Sequence, residues 1–303
     1  MRFLLLLLTV GFTSASANST PVPAAKSEAS TLTPSGYVRQ WPGTLPIVLS
    51  VPHDGGLNPA DIPDRSSGNY FVTVRDSNAR ELAEAIRTAL LQKFGKAPSL
   101  IVCELSRKKV DCNRELAEGA TPHSASEKVW QEYHAAIDQA SQNVLAHSPH
   151  GLYLDIHSHG HALKRIEIGY LLKPDEIRLN DAELNQPKSV REHSSIRELS
   201  HLTPSSFAEL LRGPQSLGGL LEARGIPAIP SPQQKLNAED PYFNGAYDVL
   251  AHGSRDRPQL DGAQLEVPQP LRDTPEHRTK TAEALADALD VFFKQHYHID
   301  LNQ

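Results

Sequence analysis

The fold class follows from one stretch in the middle of the chain, Gly151-Leu152-Tyr153-Leu154-Asp155-Ile156-His157-Ser158-His159-Gly160-His161. Its apolar residues at positions 152, 154 and 156 alternate with the others, which predicts a strand over residues 151–157. Gly160 permits a sharp turn, so the strand is expected to end before the last histidines. A strand that brings an aspartate and a histidine to its end is typical of an α/β active site. The alternative is a solvated, histidine-rich loop.

Strand and helix patterns alternate along the rest of the chain. Compact apolar runs predict further strands, at residues 45–51, 100–105, 166–172 and 263–267. Apolar stripes at helical spacing predict helices that begin near Asn78, Ser124 and Thr274, and Asn78 with Glu81 has the spacing of a capping box. The alternation predicts an α/β fold, with a mostly parallel mixed sheet flanked by helices. Residues 37–303 show no repeat and no clear linker, and are expected to form one domain.

The N-terminal residues have the features of a secretory signal peptide. Arg2 precedes an apolar core, and residues 15–17 form a small-x-small cleavage pattern, so we expect residues 1–17 to be removed and the protein to be secreted or periplasmic. Residues 18–36 are rich in Ser, Thr, Pro and Ala, which predicts a flexible leader. No later stretch is apolar enough to cross a membrane. In an oxidising compartment, Cys103 and Cys112 either form a disulfide or remain free thiols.

Polar side chains are expected at the ends of three strands. His53 follows the first of them, His157 ends the central one, and Glu266 lies within the last. In α/β sheets, ligands bind beyond the carboxyl ends of the strands. Two histidines and a carboxylate are the ligand set of a catalytic zinc, with a fourth position for water, and a further carboxylate then serves as general base. The net charge of −6 argues against a nucleic-acid partner, which would require a basic face.

At these positions the sequence resembles the N-formylglutamate amidohydrolase family, which is similar in fold to zinc carboxypeptidases and to the aspartoacylase group. The resemblance extends over residues 45–295. Five short motifs occur in the family's order, Val51-Pro52-His53-Asp54-Gly55, Asp76 at a helix start, Arg107 with Asp111-Cys112-Asn113-Arg114, Asp155-Ile156-His157-Ser158, and Gln264-Leu265-Glu266. None is specific alone, and their shared order carries the resemblance. It implies a zinc carboxypeptidase-like fold and a metal-dependent hydrolase that acts on carbon–nitrogen (amide) bonds.

The resemblance also implies the ligands of one Zn²⁺ per chain. His53 and His157 match the two zinc-binding histidines of the family. Carboxypeptidase relatives use a glutamate three residues after the first histidine, where this chain has Gly56. We therefore prefer Asp76 as the third ligand, because it matches an acidic residue of the formylglutamate branch, and keep Asp54 as the alternative. Asp76 is also in the position of a simple helix cap.

The other motif positions match residues that act on the substrate. Arg114 and Asn113 match a pair that binds a substrate carboxylate, for which a guanidinium and an amide are chemically suited. Arg107 matches the arginine that stabilises the developing oxyanion, and Glu266 matches the general base. Asp111 is expected to support Arg114. For Arg107 and Glu266, a solvated charge is the alternative interpretation.

His157, His159 and His161 recur at a spacing of two, which would allow a metal to bind to one face of a single strand. Gly160 and the expected turn argue against a regular strand there. We therefore expect His159 and His161 to line the pocket or to face solvent.

These features predict an exported, zinc-dependent amidohydrolase that cleaves an N-acyl amino acid of the formylglutamate type with a metal-activated water. The partner is then a small carboxylate-bearing substrate, with no membrane contact after signal cleavage. Two alternatives remain open. One is a carboxypeptidase-like, polyglutamate or cell-wall peptide hydrolase with the same chemistry, and the other is a non-catalytic carboxylate-binding protein on the same fold.

Overall fold

The computed structural model describes residues 29–65, 71–186, 190–257 and 260–303. The proposed signal peptide, residues 1–17, and the first part of the expected leader lie outside the described residues. Among the helices in these ranges, none has the length and apolar character that a membrane span requires.

One mixed sheet of eight strands lies at the centre of the described residues. The strands are β1 (Thr31–Leu32), β2 (Val38–Trp41), β3 (Ile47–Val51), β4 (Ser99–Cys103), β5 (Gly151–His159), β6 (Ile166–Gly169), β7 (Ala228–Ile229) and β8 (Leu260–Pro268). Their order across the sheet is β1-β2-β4-β3-β5-β8-β6-β7. The central strands β4, β3, β5 and β8 are parallel, whereas β2 and β6 run antiparallel to β4 and β8. The expected mostly parallel mixed sheet is confirmed.

Helices cover both faces of this sheet. In the described ranges the α-helices are α1 (Ala79–Phe94), α2 (Leu116–Gly119), α3 (Ser124–His147), α4 (Pro174–Ile177), α5 (Asp181–Leu184), α6 (Arg197–Leu202), α7 (Phe207–Arg212), α8 (Leu217–Glu222), α9 (Tyr247–His252) and α10 (Pro275–Phe292). Short 3-10 turns occur at Val190–His193 and Gln269–Leu271, and a π turn at Phe293–Tyr297. Apolar residues of α1 and α10 form the core on one face, and those of α3 form the core on the other.

The central strands are buried on both faces, as expected for parallel strands between helix layers. In β3, Leu49 packs in the core with α1 and α10, whereas Val48 packs in the core with α3. In β5, Leu154 likewise packs in the core with α1 and α10, and Tyr153 packs in the core with α3. Successive side chains of a strand point to opposite faces, so the period-two pattern that predicted β5 places its apolar residues against α1 and α10.

The start of α1 differs from the predicted capping box. Asn78 precedes the helix in the left-handed conformation, with φ 67°, and its side chain makes no capping hydrogen bond. Instead, Asp54 Oδ2 accepts a hydrogen bond from the backbone N–H of Arg80 at 2.8 Å. A carboxylate at this position is also favoured by the helix dipole. The cap therefore comes from the loop after β3, which local sequence spacing cannot reveal.

The sheet begins inside the expected leader. Thr31–Leu32 pairs with β2, and the backbone N–H of Ser35 donates to the Glu132 carboxylate of α3 at 3.1 Å. Backbone pairing and this hydrogen bond fix the segment to the sheet and to α3. The folded domain therefore begins before residue 37, the boundary that composition suggested.

The two cysteines lie in the core beneath α3. Cys103 ends β4, and Cys112 lies in the loop that follows. Both are buried free thiols, and burial raises the pKa of the Cys112 thiol well above its usual range. Of the two alternatives, a disulfide or two free thiols, the structure therefore shows the free thiols.

The parallel arrangement brings the predicted site residues to one edge of the sheet. Because β3, β5 and β8 are parallel neighbours, their carboxyl ends lie side by side. His53 follows the end of β3, and His157 of β5 pairs in register with Glu266 of β8. β5 continues to His159, further than predicted, because it pairs with β8 as far as that residue. These strand ends form the floor of the candidate site.

Buried His134, on the α3 side of the sheet, makes stability depend on pH. His134 Nε2 donates to the Cys112 carbonyl at 3.0 Å, and His134 Nδ1 lies 2.8 Å from Nε2 of His252. Burial, with a further contribution from His252, lowers the pKa of His134 to about 3. The folded state therefore resists a proton that the unfolded chain takes up below a pH of about 6.5.

We expect this histidine to stabilise the fold fully above a pH of about 6.5 and to lose its contribution as the pH falls, by up to ~1.4 kcal/mol per pH unit. His134→Gln keeps a donor for the Cys112 carbonyl but cannot titrate. Urea unfolding between pH 4.5 and 6 should therefore give a shallower pH dependence for this variant than for the wild type. The exposed His147→Gln is the control and should keep the wild-type dependence. Equal slopes in His134→Gln and the wild type would contradict the assignment.

Candidate metal centre and active site

Three side chains converge at the carboxyl edge of the sheet. His53 comes from the loop after β3, Asp76 from the residues before α1, and His157 from β5. Each offers one ligand atom, and these atoms all lie within 4.8 Å of one another. Asp76 Oδ2 is 3.0 Å from His157 Nδ1 and 3.6 Å from His53 Nδ1. The ligands of a tetrahedral zinc, each about 2.0–2.1 Å from the ion, are separated by a similar ~3.4 Å.

A buried carboxylate holds the outer nitrogen of each histidine. His53 Nε2 donates to Asp111 Oδ1 at 2.7 Å, and His157 Nε2 donates to Asp155 Oδ2 at 2.6 Å. Both rings are therefore fixed with Nδ1 turned towards Asp76. Among the described residues, His53 Nδ1 is buried without a hydrogen-bond partner. Carboxylate–histidine pairs of this kind orient the ligands of zinc, so this set of donors fits a zinc ion.

The charges in this group stabilise one another. Burial alone would raise the pKa of Asp76, but the hydrogen bond from His157 and the nearby His53 ring outweigh burial and hold that pKa well below its usual range. Burial would lower the pKa of His157, but Asp155 and Asp76 hold it well above its usual range. A cation held by these atoms would take the place of the proton between His157 and Asp76, so its binding would release a proton.

The structure brings Asp76, and not Asp54, to the two histidines. Both Asp54 oxygens are engaged at the start of α1, Oδ1 by Arg75 Nε and Oδ2 by the backbone N–H of Arg80. Burial raises the pKa of Asp54 to about 6, although these hydrogen bonds oppose the rise. The Asp76 side chain bonds to β5 through His157 and the backbone N–H of Ser158. Asp54, and not Asp76, is thus the residue that caps α1.

Glu266 lies on β8 between two strands that carry charged residues. In register it pairs with His157 of β5 on one side and with Glu167 of β6 on the other. Its Oε1 accepts a hydrogen bond from Gln264 at 2.9 Å, whereas Oε2 is buried with no hydrogen-bond partner in the described part of the chain. Burial raises the pKa of Glu266 to about 8. At 5% exposure, Glu266 is not the solvated edge-strand residue of the alternative interpretation.

Asp111 connects His53 to two arginines. Its Oδ2 accepts a hydrogen bond from Arg107 Nε at 2.9 Å, and Arg65 Nη2 lies 3.6 Å away. Burial opposes its charge, but His53 and the arginines hold the pKa of Asp111 well below its usual range. We expected Asp111 to support Arg114; instead its carboxylate binds His53 and Arg107. Arg107 is thereby held close to His53.

Asn113 and Arg114 lie on the loop that follows. Asn113 Nδ2 lies 3.2 Å from His157 Nε2 and donates to Gln264 Oε1 at 3.2 Å, and its Oδ1 accepts from the backbone N–H of Asp248 at 2.8 Å. Arg114 is partly exposed, and its Nη1 donates to the Asn113 carbonyl at 2.8 Å. The Asn113 amide is therefore engaged in fixing the loop to the sheet, whereas the Arg114 side chain is partly exposed.

Three residues complete this edge although their roles were not predicted. The sequence contains a signal for Asp155, because this residue lies two positions before His157 on a strand and therefore on the same face. No sequence signal indicates that Arg65 or Glu167 belongs to the site. They come from the loop after β3 and from β6, and only the tertiary fold brings them to Asp111 and Glu266.

Comparisons with solved structures identify the fold. An N-formylglutamate amidohydrolase from Ralstonia eutropha is similar with a TM-score of 0.50 and 15% identity, over 87% of this chain and 99% of that one. A gene product of Agrobacterium tumefaciens is similar with a TM-score of 0.50 and 14% identity, over 84% of this chain and 93% of that one. A metallo-carboxypeptidase from Pseudomonas aeruginosa has a TM-score of 0.43 and 13% identity, over 90% of this chain and 66% of that one.

No family model matches the chain, and no curated protein matches it in sequence. At these identities the structural similarity concerns the fold. The resemblance that the sequence motifs predicted is confirmed at that level.

Asp155→Asn should weaken metal binding by about 10–100-fold. The amide has nearly the shape of the carboxylate but carries no negative charge to balance a bound cation, and its NH₂ group cannot accept the Nε2–H of His157. Zinc affinity is measured by competition with a chromophoric chelator, and circular dichroism checks the fold. Asp256→Asn, an exposed aspartate beside Arg255, is the control and should bind as the wild type does. Unchanged affinity in Asp155→Asn would contradict the orienting role.

Proposed function

We propose that the chain is a zinc-dependent amidohydrolase that cleaves an N-acyl amino acid of the formylglutamate type. The shared fold and the group of His53, Asp76 and His157 support a metal-dependent hydrolase. One observation carries the proposal further. The buried carboxyl group of Glu266, with Oε2 unpaired in the described residues, stands in register beside His157. A general base for an attacking water is required at such a position.

A Zn²⁺ held by His53, Asp76 and His157 would polarise an acyl carbonyl and lower the pKa of a neighbouring water. Arg114 binds the substrate carboxylate through its guanidinium fork. Asn113 keeps the loop in place, and its amide can reach the same carboxylate only by giving up a present bond. Arg107, held by Asp111, lies on the side of His53 and stabilises the oxyanion of the scissile carbonyl.

Glu266 moves the proton in this scheme. It takes a proton from the attacking water as the new C–O bond forms, and gives it to the amine nitrogen as the C–N bond breaks. Burial raises the pKa of Glu266 to about 8, and a nearby cation lowers it again. A carboxyl group that binds and releases a proton near neutral pH is suited to this transfer.

Export is part of the proposal and depends on residues 1–17, which lie outside the described residues. An exported enzyme of this kind acts on small carboxylate-bearing amides outside the cytoplasm. A peptide hydrolase with the same chemistry would use the same residues and a longer substrate.

Glu266→Gln should lower kcat/KM by about 10²–10⁴-fold while zinc stays bound, because the amide cannot accept the proton of water but leaves the ligands in place. Turnover is measured on N-formyl-L-glutamate and a panel of other N-acyl amino acids, with zinc content determined in parallel. Glu283→Gln, on the exposed face of α10, is the matched control and should keep the wild-type rate.

Two outcomes would contradict the proposal. A near-wild-type rate in Glu266→Gln would mean that the assigned base is wrong. A zinc-loaded wild type that cleaves none of these amides would exclude the amidohydrolase, and retention of a carboxylate ligand by that protein would favour the non-catalytic binding protein.

A further inference from the structure

A second group of metal-ligating side chains lies beyond Glu266 at the same edge of the sheet. It consists of His159 at the end of β5, His161 in the following turn, and Glu167 in β6. Their three ligand atoms all lie within 4.8 Å of one another. Glu167 Oε1 is 2.8 Å from His161 Nδ1 and 3.9 Å from His159 Nδ1. These distances resemble those among His53, Asp76 and His157, which we call the first group. None of the three side chains in the second group belongs to it.

His159 is oriented in the way that metal ligands are. Its Nε2 donates to the carbonyl of Arg165 at 2.9 Å, so the N–H lies on Nε2 and Nδ1 keeps its lone pair. Nδ1 is turned towards Glu167 and accepts the backbone N–H of His161 at 3.1 Å. A metal-binding histidine typically donates its other N–H to a carbonyl or carboxylate in this manner.

The carboxyl group of Glu167 is buried and faces two histidines. Its side chain is 1% exposed, and its ion-pair partners in the described residues are His159 and His161. Oε2 accepts the backbone N–H of Phe243 at 2.8 Å, which leaves Oε1 facing the two rings. The guanidinium of Arg165 is engaged with Asp240 at 3.2 Å. A buried carboxylate without a strong cationic partner is costly, and a metal ion would compensate it.

The group has an open side from which an ion can enter. His161 is stacked on Phe243, with ring centroids 4.7 Å apart, and its side chain is 22% exposed. Two imidazoles and one carboxylate then leave a fourth position for water or a ligand atom. On the sheet, Glu167 and His157 flank Glu266 from opposite sides, so Glu167 lies across Glu266 from His157.

We propose that His159, His161 and Glu167 form a second divalent-cation site, for Zn²⁺ or a similar first-row ion. On binding, His161 Nδ1 gives its proton to solvent, and the turn at Gly160 moves the backbone N–H of His161 away from His159 Nδ1. The site does not depend on the proposed function, because it requires neither catalysis nor the first group.

Zinc stoichiometry tests the proposal on the full chain. Protein stripped with a chelator is equilibrated with Zn²⁺ and analysed for zinc, and affinities are measured by calorimetry. The wild type should bind two ions per chain. His161→Gln and Glu167→Gln should each bind one, with the affinity for the second ion lowered at least about a hundredfold. His53→Gln should also bind one, and the double variant His53→Gln/His161→Gln none.

The control is a histidine–glutamate pair at the same distance, whose histidine is exposed. His193 Nε2 lies 2.8 Å from Glu176 Oε1 at the surface, and His193→Gln should still bind two ions. A wild type that binds one ion, with His161→Gln also binding one, would overturn the proposal. So would two ions in both His161→Gln and His193→Gln, because the second ion would then lie elsewhere. If Glu167→Gln does not fold, the partly exposed His161→Gln still decides.

Discussion

The hydrogen bonds from His53 to Asp111 and from His157 to Asp155 are the interactions on which the rest of the site depends. Each fixes one imidazole ring so that Nδ1, and not Nε2, faces Asp76. Each also gives a buried carboxylate the partner that it needs, since an unpaired buried charge costs about 3–5 kcal/mol. The orientation of the candidate metal ligands and the stability of the sheet edge therefore rest on the same two contacts.

His53, Asp54 and Asp111 connect the loops of the site to the sheet and to α1. The backbone N–H of Asp76 donates to the His53 carbonyl at 3.1 Å, and the adjacent Asp54 caps α1. Two neighbouring residues after β3 thus position both Asp76 and the helix that follows it. Asp111 plays the same part for its own loop, because it binds His53, Arg107 and the backbone N–H of Asn113. A change at either point would move several site residues together.

Local pattern predicts much of this architecture. The period-two pattern of β5, the apolar run of β3 and the helical stripe of α1 each report burial that the sequence encodes directly. The parallel order of these strands then places His53, His157 and Glu266 at one edge. For this reason strand pattern alone can bring residues that are far apart in the chain to the same edge of the sheet.

Contacts between distant segments are the part that pattern does not encode. The cap of α1 comes from Asp54 and not from Asn78, and the partner of Asp111 is His53 and not Arg114. Glu167 belongs to β6, which pairs antiparallel with β8. No local feature of the sequence predicts this pairing. In each case the decisive factor is which loop passes nearby, and that depends on the completed fold.

The most direct test of the account is the position of the metal in a crystal of the zinc-loaded protein, located by anomalous scattering at the zinc edge. We predict a peak about 2.0–2.1 Å from Nδ1 of both His53 and His157, with a carboxylate oxygen of Asp76 at a similar distance. A peak bound through Nε2 of either histidine, one bound to Asp54, or no peak between these residues would contradict it.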